Sequence, residues 1–340
     1  MGRTGITRQT FLRVGLTGFI VTVAGGAGRA AANKTVKLGM ILPSSDQFRW
    51  KNADGRFFLE EAKKLGVDSE MQSSNMSEAT QASQVENMLT LGIDALVLTP
   101  VNANAAASLV RKAKSAGVPV VNYNFLINKA ECDAFVGRDA IEIGERIAQA
   151  AVDAKPKGNY VLCYGDEGMS VAVDTAKGNL NVLNPLVAKG DIKIISQQYN
   201  KSWASESARA QVENALTQAN NDVVAVVCSN DGTAYGAIQA LQAQGLSGKV
   251  FVTGVDAEPH AQELIRQGLL NISNFSAFDL MGSSAAQAAL ALARGEPVKA
   301  DDKINNGLKD LPWIKAPNFN VSKDNLEENV RDRSWWFKPA

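Results

Sequence analysis

Polar side chains stand at the carboxyl ends of several apolar runs in this chain. In VVCSNDGTAYGAIQAL, apolar residues are followed by Ser229, Asn230 and Asp231, and a helical pattern comes next. Ligands of open α/β sheets bind at the carboxyl ends of the strands. Three uses are open for this loop: gripping a nucleotide, holding a catalytic acid, or hydrogen-bonding a small neutral molecule.

Other strand ends carry the same mixture of planar polar groups and aromatic rings. Planar polar groups pair with hydroxyls, and rings cover the apolar faces of a sugar. We predict a monosaccharide site made of these residues: Arg49, Trp50, Asn124, Phe125, Asp166, Glu167, Trp203, Asn230, Asp231, Asp256 and Phe275. Two of them have a plainer alternative, since Asp256 suits a helix cap and Trp203 suits ordinary surface packing.

Motifs for enzyme chemistry are missing from the sequence. The first strand ends LGMILPSSDQF, without the glycine triplet of dinucleotide binding, and no P-loop motif occurs. His260 is the only histidine, and no serine lies in a G-x-S-x-G motif. Asp231 and Asp256 both end strands, so a glycosidase with paired carboxylates stays open. The three cysteines lack metal-ligand spacing, and we expect no metal and no cofactor.

The first 32 residues have the three-part pattern of a cleaved secretion signal. Arg3, Arg8 and Arg13 precede the apolar run VGLTGFIVTVAGGAG, and alanines at 30–32 supply a cleavage site. In TRQTFLR, Gln9 stands where a twin-arginine motif has its second arginine, so the export route stays open. We predict a periplasmic protein. The chain has 35 basic and 35 acidic residues, without the basic stripe of nucleic-acid binding.

From residue 36 onward, short apolar runs alternate with helical patterns. VKLGMIL reads as a strand, and Ser77 and Gly92 suit the start and the stop of a later helix. This alternation predicts an α/β protein with parallel sheets covered by helices. The pattern restarts at AFVGRD, which indicates two Rossmann-like lobes. After Gly295 the chain is irregular and polar, and we expect only that Trp335 and Trp336 pack on a lobe.

Five segments resemble the periplasmic xylose-binding proteins, which are type I sugar-binding components of ABC importers: FRWKNADG, QVENMLTLGIDALVLTPVN, SNDGTAYGAIQALQAQGLSGKV, VTGVDAE and INNGLKD. The similarity covers nearly all of residues 35–325. It implies two Rossmann-like lobes that are joined by three crossover hinges and close over one sugar.

The resemblance also implies boundaries for the two lobes. The first lobe is expected at 35–138 and 277–310, and the second at 139–276 and 311–340. The chain is then expected to bend at the crossovers when the lobes close.

Carried over position by position, the family's pocket residues fall on several of the predicted ones. The pocket arginine falls on Arg49 and the stacking tryptophan on Trp203. The Asn-Asp pair falls on Asn230 and Asp231, and a further aspartate falls on Asp256. These matches imply that the SND residues at 229–231 hydrogen-bond sugar hydroxyls.

Other positions depart from the family pattern. Xylose-binding proteins have Asp-Arg where this chain has Asn124 and Phe125, Asp and Asn near 169–171, and Lys where it has Ser276. Two cations and an acid are missing, while Asp231 and Asp256 stay with Asp166 and Glu167 nearby, which makes the local field more negative. Because a buried charge requires a partner, we hypothesise a cationic sugar such as a hexosamine. A neutral pentose, hexose or polyol is an equal alternative.

The function implied by the resemblance is the capture of a monosaccharide and its delivery to an ABC permease in the inner membrane. We expect a monomer. The alternatives are an exported sugar-modifying enzyme and a sugar-sensing partner of a chemoreceptor. A repressor of the same lobe fold requires an N-terminal helix-turn-helix, and a secretion signal stands there instead.

Overall fold

The computed structural model describes residues 35–45, 47–300 and 302–337. The predicted secretion signal at 1–32 lies outside these residues. The strands are β1 Lys37–Leu42, β2 Asp68–Ser73, β3 Ala95–Leu98, β4 Val120–Tyr123, β5 Ala134–Arg138, β6 Gly158–Tyr164, β7 Ile192–Tyr199, β8 Ala225–Cys228, β9 Phe251–Val255, β10 Ile272–Ser276, β11 Asp302–Asn305, β12 Asp310–Ala316 and β13 Asn318–Ser322.

Ten α-helices accompany these strands in the described part of the chain. They are α1 Gly55–Lys64, α2 Glu78–Thr90, α3 Ala107–Ser115, α4 Ala140–Ala154, α5 Ser170–Ala188, α6 Ser205–Gln218, α7 Asp231–Ala243, α8 Pro259–Arg266, α9 Phe278–Ala293 and α10 Leu326–Asp332. A π-helical turn at Trp50–Asp54 leads into α1. No helix among the described residues has the length and apolarity needed to cross a membrane.

The strands form two separate sheets. The first has the order β11-β12-β5-β4-β3-β1-β2, and the second has the order β13-β10-β9-β8-β6-β7. Only β11 and β13 pair in the antiparallel sense, each at one edge of its sheet. Most strands are therefore parallel, and their carboxyl ends lie along one edge of each sheet.

Local sequence explains the elements that carry site residues. β3, β4 and β8 are short apolar runs that are buried throughout, as expected for parallel strands covered on both faces. The side chains of Asp139 and Asn230 cap α4 and α7 by accepting hydrogen bonds from Glu142 N and Thr233 N. These caps start both helices within three residues of a strand end.

The chain crosses between the lobes at three neighbouring places. The crossings follow β5, β10 and β12, and Ala277 N donates to Pro317 O at 3.1 Å to join two of them. Lys315 Nζ lies 2.9 Å from Asp139 Oδ2, which links the third crossing to this pair. The three crossings are thus linked to one another, by a backbone hydrogen bond and an ion pair, and together they form the expected hinge.

The expected lobe boundary at 310/311 was wrong. β12, which begins at residue 310, pairs in parallel with β5 of the first sheet, so the chain crosses at Pro317 instead. The part after Gly295 is also more regular than its polar sequence indicates, because it forms β11, β12, β13 and α10. β11 and β13 are edge strands, and β11 is mostly exposed, so both lack the apolar runs of the central strands.

Candidate functional site

Two arginines and two aspartates form a buried cluster where the lobes meet. We call Arg49, Asp54, Arg138 and Asp256 the charged cluster. In the first lobe, Arg49 donates through Nε and Nη2 to both oxygens of Asp54, at 3.0 and 2.7 Å. In the second lobe, Asp256 Oδ1 accepts from Arg138 Nη1 at 2.7 Å and from Arg49 Nη1 at 3.3 Å. The cluster therefore joins the two lobes through one carboxylate.

The charges of this cluster balance one another. Burial acts to lower the pKa of Arg49, but the nearby charges of Asp54 and Asp256 outweigh it and raise the pKa. Burial also lowers the pKa of Arg138, and Asp256 opposes that effect. Tyr123 donates its hydroxyl to Asp54 Oδ1 at 2.7 Å. Asp54 thus accepts three hydrogen bonds and Asp256 accepts two, in each case from two residues.

Three predicted residues stand in backbone conformations that side chains rarely adopt. The φ angles are 57° at Asn124, 59° at Trp203 and 104° at Asp256. Each such residue costs roughly 1–3 kcal/mol, and these conformations concentrate at functional sites. Asn124 and Asp256 directly follow strands, and Trp203 lies in the short turn after β7. The backbone is therefore strained in the loops that carry these predicted site residues.

The side chain of Asn124 is buried against an interlobe cavity. Neither its amide nitrogen nor its amide oxygen has a hydrogen-bond partner among the described residues, and the same holds for Arg138 Nε. A cavity of about 220 Å³ adjoins both residues, with Ser170 of the second lobe, Phe135 and Trp313 also in its wall. Buried polar groups are normally paired, so these atoms are the ones that suit a ligand.

Aromatic rings lie beside the cluster in the first lobe, and another ring is held in the second lobe. The ring of Trp50 lies over the Arg49 guanidinium at 4.3 Å and meets Phe125 edge-on at 5.5 Å between centroids. In the second lobe, Trp203 is 8% exposed and donates through Nε1 to the sulfur of Met169 at 3.1 Å. These rings give the site apolar surface of the kind that covers a sugar face.

Asn230 and Asp231 have different surroundings although they are neighbours. The side-chain oxygen of Asn230 caps α7, which leaves its amide nitrogen as the group able to donate elsewhere. Both carboxylate oxygens of Asp231 are already bonded, since Ser273 Oγ donates to one at 2.6 Å and Glu258 N to the other at 2.8 Å. Burial raises the pKa of Asp231 well above its usual range, and Glu258 and Asp256 add to the effect.

Three further predicted residues lie outside the charged cluster. The carboxylate of Asp166 accepts from Gly168 N at 2.9 Å and from Ser202 N at 2.6 Å, so it shapes the loops on either side. Glu167 is exposed and lines an outer cavity of about 590 Å³. Phe275 is fully buried among other aromatic rings. The structure brings together five of the eleven predicted residues, which are Arg49, Trp50, Asn124, Phe125 and Asp256. Trp203 and Asn230 lie near each other in the second lobe, on either side of Gly232.

The lobes are in direct contact across the cleft. Ala103 N donates to Gly168 O at 2.9 Å, and Leu126 N donates to Ser170 Oγ at 2.7 Å. Both bonds join a loop of the first lobe to the turn before α5. Together with the bond between Arg49 and Asp256, they describe a closed arrangement.

Sequence reasoning missed Arg138, Asp54, Tyr123 and Ser170. Arg138 had the clearest signal, because it is a charged residue at the carboxyl end of the apolar strand AFVGR. Its presence removes the reason given for a cationic ligand. Arg138 is a cation that remains in the site although two others are lost. Asp256 is already paired with the guanidiniums of Arg49 and Arg138.

In the described part of the chain, no group of His, Cys, Asp and Glu is placed to hold a metal ion. The candidate site consists of hydrogen-bonding groups and rings, without an activated nucleophile among the residues named above. Such an arrangement is suited to binding a polyhydroxylated molecule.

Replacing Gly165 by alanine should displace the Trp203 ring. A Cβ at this position would overlap the outer ring atoms of Trp203, so the ring must leave its position beside Met169. We expect ligand affinity to fall about tenfold, from loss of aromatic contact. Calorimetric titration checks this. Gly144→Ala is the control, because it creates a similar overlap with the Thr175 carbonyl inside the second lobe. An unchanged affinity in Gly165→Ala would mean that Trp203 does not contact the ligand.

Glu258 should make the stability of the protein depend on pH. Burial, and then the charge of Asp256, raise the pKa of Glu258 to about 7 from an ordinary value of 4.5. The folded state therefore keeps a proton that the unfolded state loses, so the free energy of unfolding falls as pH rises from 4.5 to about 7. Urea unfolding at several pH values should show a smaller fall in Glu258→Gln. Exposed Glu263 supplies the control, and an equal effect of Glu263→Gln would contradict this origin.

Comparison with known proteins identifies the family. A sequence model of the periplasmic binding protein domain matches residues 38–297. The chain belongs to the periplasmic binding proteins. This membership, together with the two-lobed structure, confirms the family and the fold class that the sequence predicts.

Relatives of this periplasmic binding protein match over most of their lengths. The D-xylose-binding periplasmic protein of Escherichia coli is 40% identical over 301 residues, which cover 88% of this chain and 91% of the relative. A xylitol-binding protein of Mycolicibacterium smegmatis is 27% identical over 321 residues, which cover 94% and 87%.

A solved structure of another solute-binding protein has a similar fold. The carbohydrate transporter solute-binding protein of Chloroflexus aurantiacus, in complex with D-glucose, superimposes with a TM-score of 0.82 and 28% identity, covering 89% of this chain and 97% of the other. All three relatives are named as binding proteins, which confirms the prediction of a binding protein over an enzyme.

Proposed function

We propose that this periplasmic binding protein captures a neutral monosaccharide or polyol in the interlobe cleft and delivers it to an ABC permease of the inner membrane. The observation that carries the proposal is the unpartnered, buried amide of Asn124 in the same cavity wall as Arg138, which bonds Asp256. A sugar hydroxyl both donates and accepts, so it satisfies an amide, a guanidinium and a carboxylate at once. The protein acts in the periplasm as a monomer.

The charges of the cleft favour a neutral ligand over an amino sugar. An ammonium group requires a carboxylate without another cationic partner. Asp256 and Asp54 are held by arginines, and Asp166 and Asp231 accept bonds from backbone amides. Of the two aspartates in the cavity wall, Asp139 is paired with Lys315, and burial raises the pKa of Asp174, which favours its uncharged form. Glu167 is exposed to solvent, where an ion pair contributes little. A neutral ligand leaves all these pairs intact.

Each residue of the site has a distinct role in this proposal. Asp256 and Arg138 bind adjacent hydroxyls, and Asn124 binds a third from the first lobe. Trp203 covers one face of the sugar, and the amide nitrogen of Asn230 donates at its edge. Arg49 holds Asp256 in place and stays bonded to Asp54.

The ligands named for the relatives agree with a neutral compound. They are D-xylose, xylitol and D-glucose, a pentose, a polyol and a hexose, and none carries an amine. The resemblance does not choose among them, because Asn124 and Phe125 stand where xylose-binding proteins have Asp-Arg.

A thermal-shift screen of the exported chain with neutral pentoses, hexoses, polyols and amino sugars tests the proposal. A ligand at 100 times its dissociation constant adds about 2.7 kcal/mol to the free energy of unfolding. We expect a clear rise in melting temperature with at least one neutral compound, and a smaller rise with the matching amino sugar. A rise confined to amino sugars would reject the neutral ligand, and no rise with any sugar would reject the sugar-binding role.

A further inference from the structure

An aromatic segment after the last helix, mostly buried, is not used by the proposed site. We call Trp335, Trp336 and Phe337 the aromatic tail. It follows α10, which is held to the second lobe by an ion pair between Glu327 and Arg266. Trp336 and Phe337 are 1% and 0% exposed, so this segment is part of the folded structure.

Trp336 is bonded to the turn that carries Asp256. Its indole Nε1 donates to the carbonyl oxygens of Asp256, at 3.1 Å, and of Ala257, at 2.7 Å. Both residues have positive φ angles, 104° and 48°, so this turn is strained and requires support from its surroundings. The indole N–H supplies support at the residue whose carboxylate meets Arg49 and Arg138.

The aromatic tail also contacts the first lobe. The ring of Trp336 lies 5.3 Å from that of Phe48 and 5.2 Å from that of Phe278. Trp335 meets Phe57 of α1 edge-on at 4.7 Å. Because the backbone and N–H bonds of Trp336 go to the second lobe, these ring contacts depend on how the lobes are placed.

These contacts form a continuous ring that includes two residues of the charged cluster, Asp256 and Arg49. Trp336 bonds the Asp256 backbone, and the Asp256 carboxylate bonds Arg49. The Arg49 guanidinium lies 4.1 Å from the ring of Phe278, which contacts Trp336 in turn. A shift of Trp336 therefore changes both the position of Asp256 and the fit between the lobes.

We propose that Trp336 is a positioning residue for the ligand-binding carboxylate of Asp256, and that the aromatic tail stabilises the closed arrangement of the lobes. This inference rests on the proposed sugar-binding function. It assigns the tail a role in affinity, beyond packing on one lobe.

Two variants separate the two parts of the proposal. Trp336→Phe keeps a ring beside Phe48 and Phe278 but removes the N–H, so the Asp256 carbonyl loses its donor. We expect its dissociation constant to rise about tenfold. Trp335→Leu removes the contact with Phe57 and leaves the turn alone, and we expect a rise of about threefold.

Phe319→Leu is the matched control for a merely structural effect. The ring of Phe319 contacts Phe275 in the same aromatic group and Arg333 before the tail, but neither the Asp256 turn nor the first lobe. It should lower the melting temperature and leave the dissociation constant unchanged. The measurements are titration calorimetry with the neutral sugar that the wild-type protein binds, and melting of each variant without sugar.

The interlobe distance gives a second readout. Fluorescent labels at Lys129→Cys and Val173→Cys, on opposite walls of the outer cavity, should report a more open cleft in Trp335→Leu without sugar. If Trp336→Phe does not fold, Trp336→Met replaces it, because methionine also lacks the N–H and its flexible apolar side chain fills irregular space.

Unchanged affinity and unchanged distance in folded variants would overturn the inference, and so would an equal loss of affinity in Phe319→Leu. Failure of the wild-type protein to bind any sugar would instead reject the proposed function, so the two failures are distinguishable.

Discussion

Replacing Asp256 by asparagine should weaken sugar binding by about 2–5 kcal/mol, which is about thirtyfold or more at 25 °C. The substitution keeps the size of the side chain and removes its charge. Arg49 and Arg138 then share only Asp54 as a buried counter-charge, and a buried charge without a partner is costly. The two guanidiniums should repel each other, so the geometry offered to the hydroxyls is lost.

Asp231→Asn is the control for this result. Asp231 is as deeply buried as Asp256, but its carboxylate bonds Ser273 and the Glu258 amide. We expect its dissociation constant to stay within about threefold of that of the wild-type protein. Titration calorimetry on both variants decides the matter. Equal losses of affinity would mean that Asp231 contacts the ligand, as the sequence analysis first predicted.

Replacing Arg138 by methionine should change both affinity and selectivity. The variant loses the donor that lies 2.7 Å from Asp256, and we expect the affinity for a neutral sugar to fall about 10- to 100-fold. The cluster then carries one more negative than positive charge. An ammonium group gains a partner there, so the ratio of amino-sugar to neutral-sugar affinity should rise.

The selectivity measurement uses paired ligands. The neutral sugar found by screening and its 2-amino counterpart are titrated into the wild-type protein, Arg138→Met and Arg146→Met. Arg146 is an exposed residue of α4 that pairs with Glu142, so its removal should change neither affinity nor ratio. A ratio that is the same in Arg138→Met and the wild-type protein would show that Arg138 does not set the charge preference.

Several site positions were predictable from the sequence, because the carboxyl end of a buried parallel strand shows as a change from apolar to polar residues. The apolar run of β8 stops at Cys228, and polar residues follow at once. The same logic placed Asn124 after β4 and Asp256 after β9. The position of a residue after a strand does not predict which groups its side chain contacts. Asp231 follows a strand as Asp256 does, yet its two carboxylate oxygens accept from Ser273 and the amide of Glu258, whereas Asp256 accepts from two arginines.

Contacts between distant segments account for the other misses. Arg138 and Asp256 are 118 positions apart, and nothing local in AFVGRD indicates the partner. The edge strands β11 and β13 and the tail depend on tertiary packing, which overrides weak local preference. Phe275 belongs to the tail's aromatic group, which the sequence around LLNISNF does not reveal.

A crystal structure of the protein with the sugar identified by screening tests the central claim most directly. The account predicts the sugar between the lobes, with hydroxyl oxygens within hydrogen-bond distance of the Asp256 carboxylate, the Arg138 guanidinium and the Asn124 amide. A sugar held only in the outer cavity, against Lys129 and Glu167 and away from the charged cluster, would contradict it.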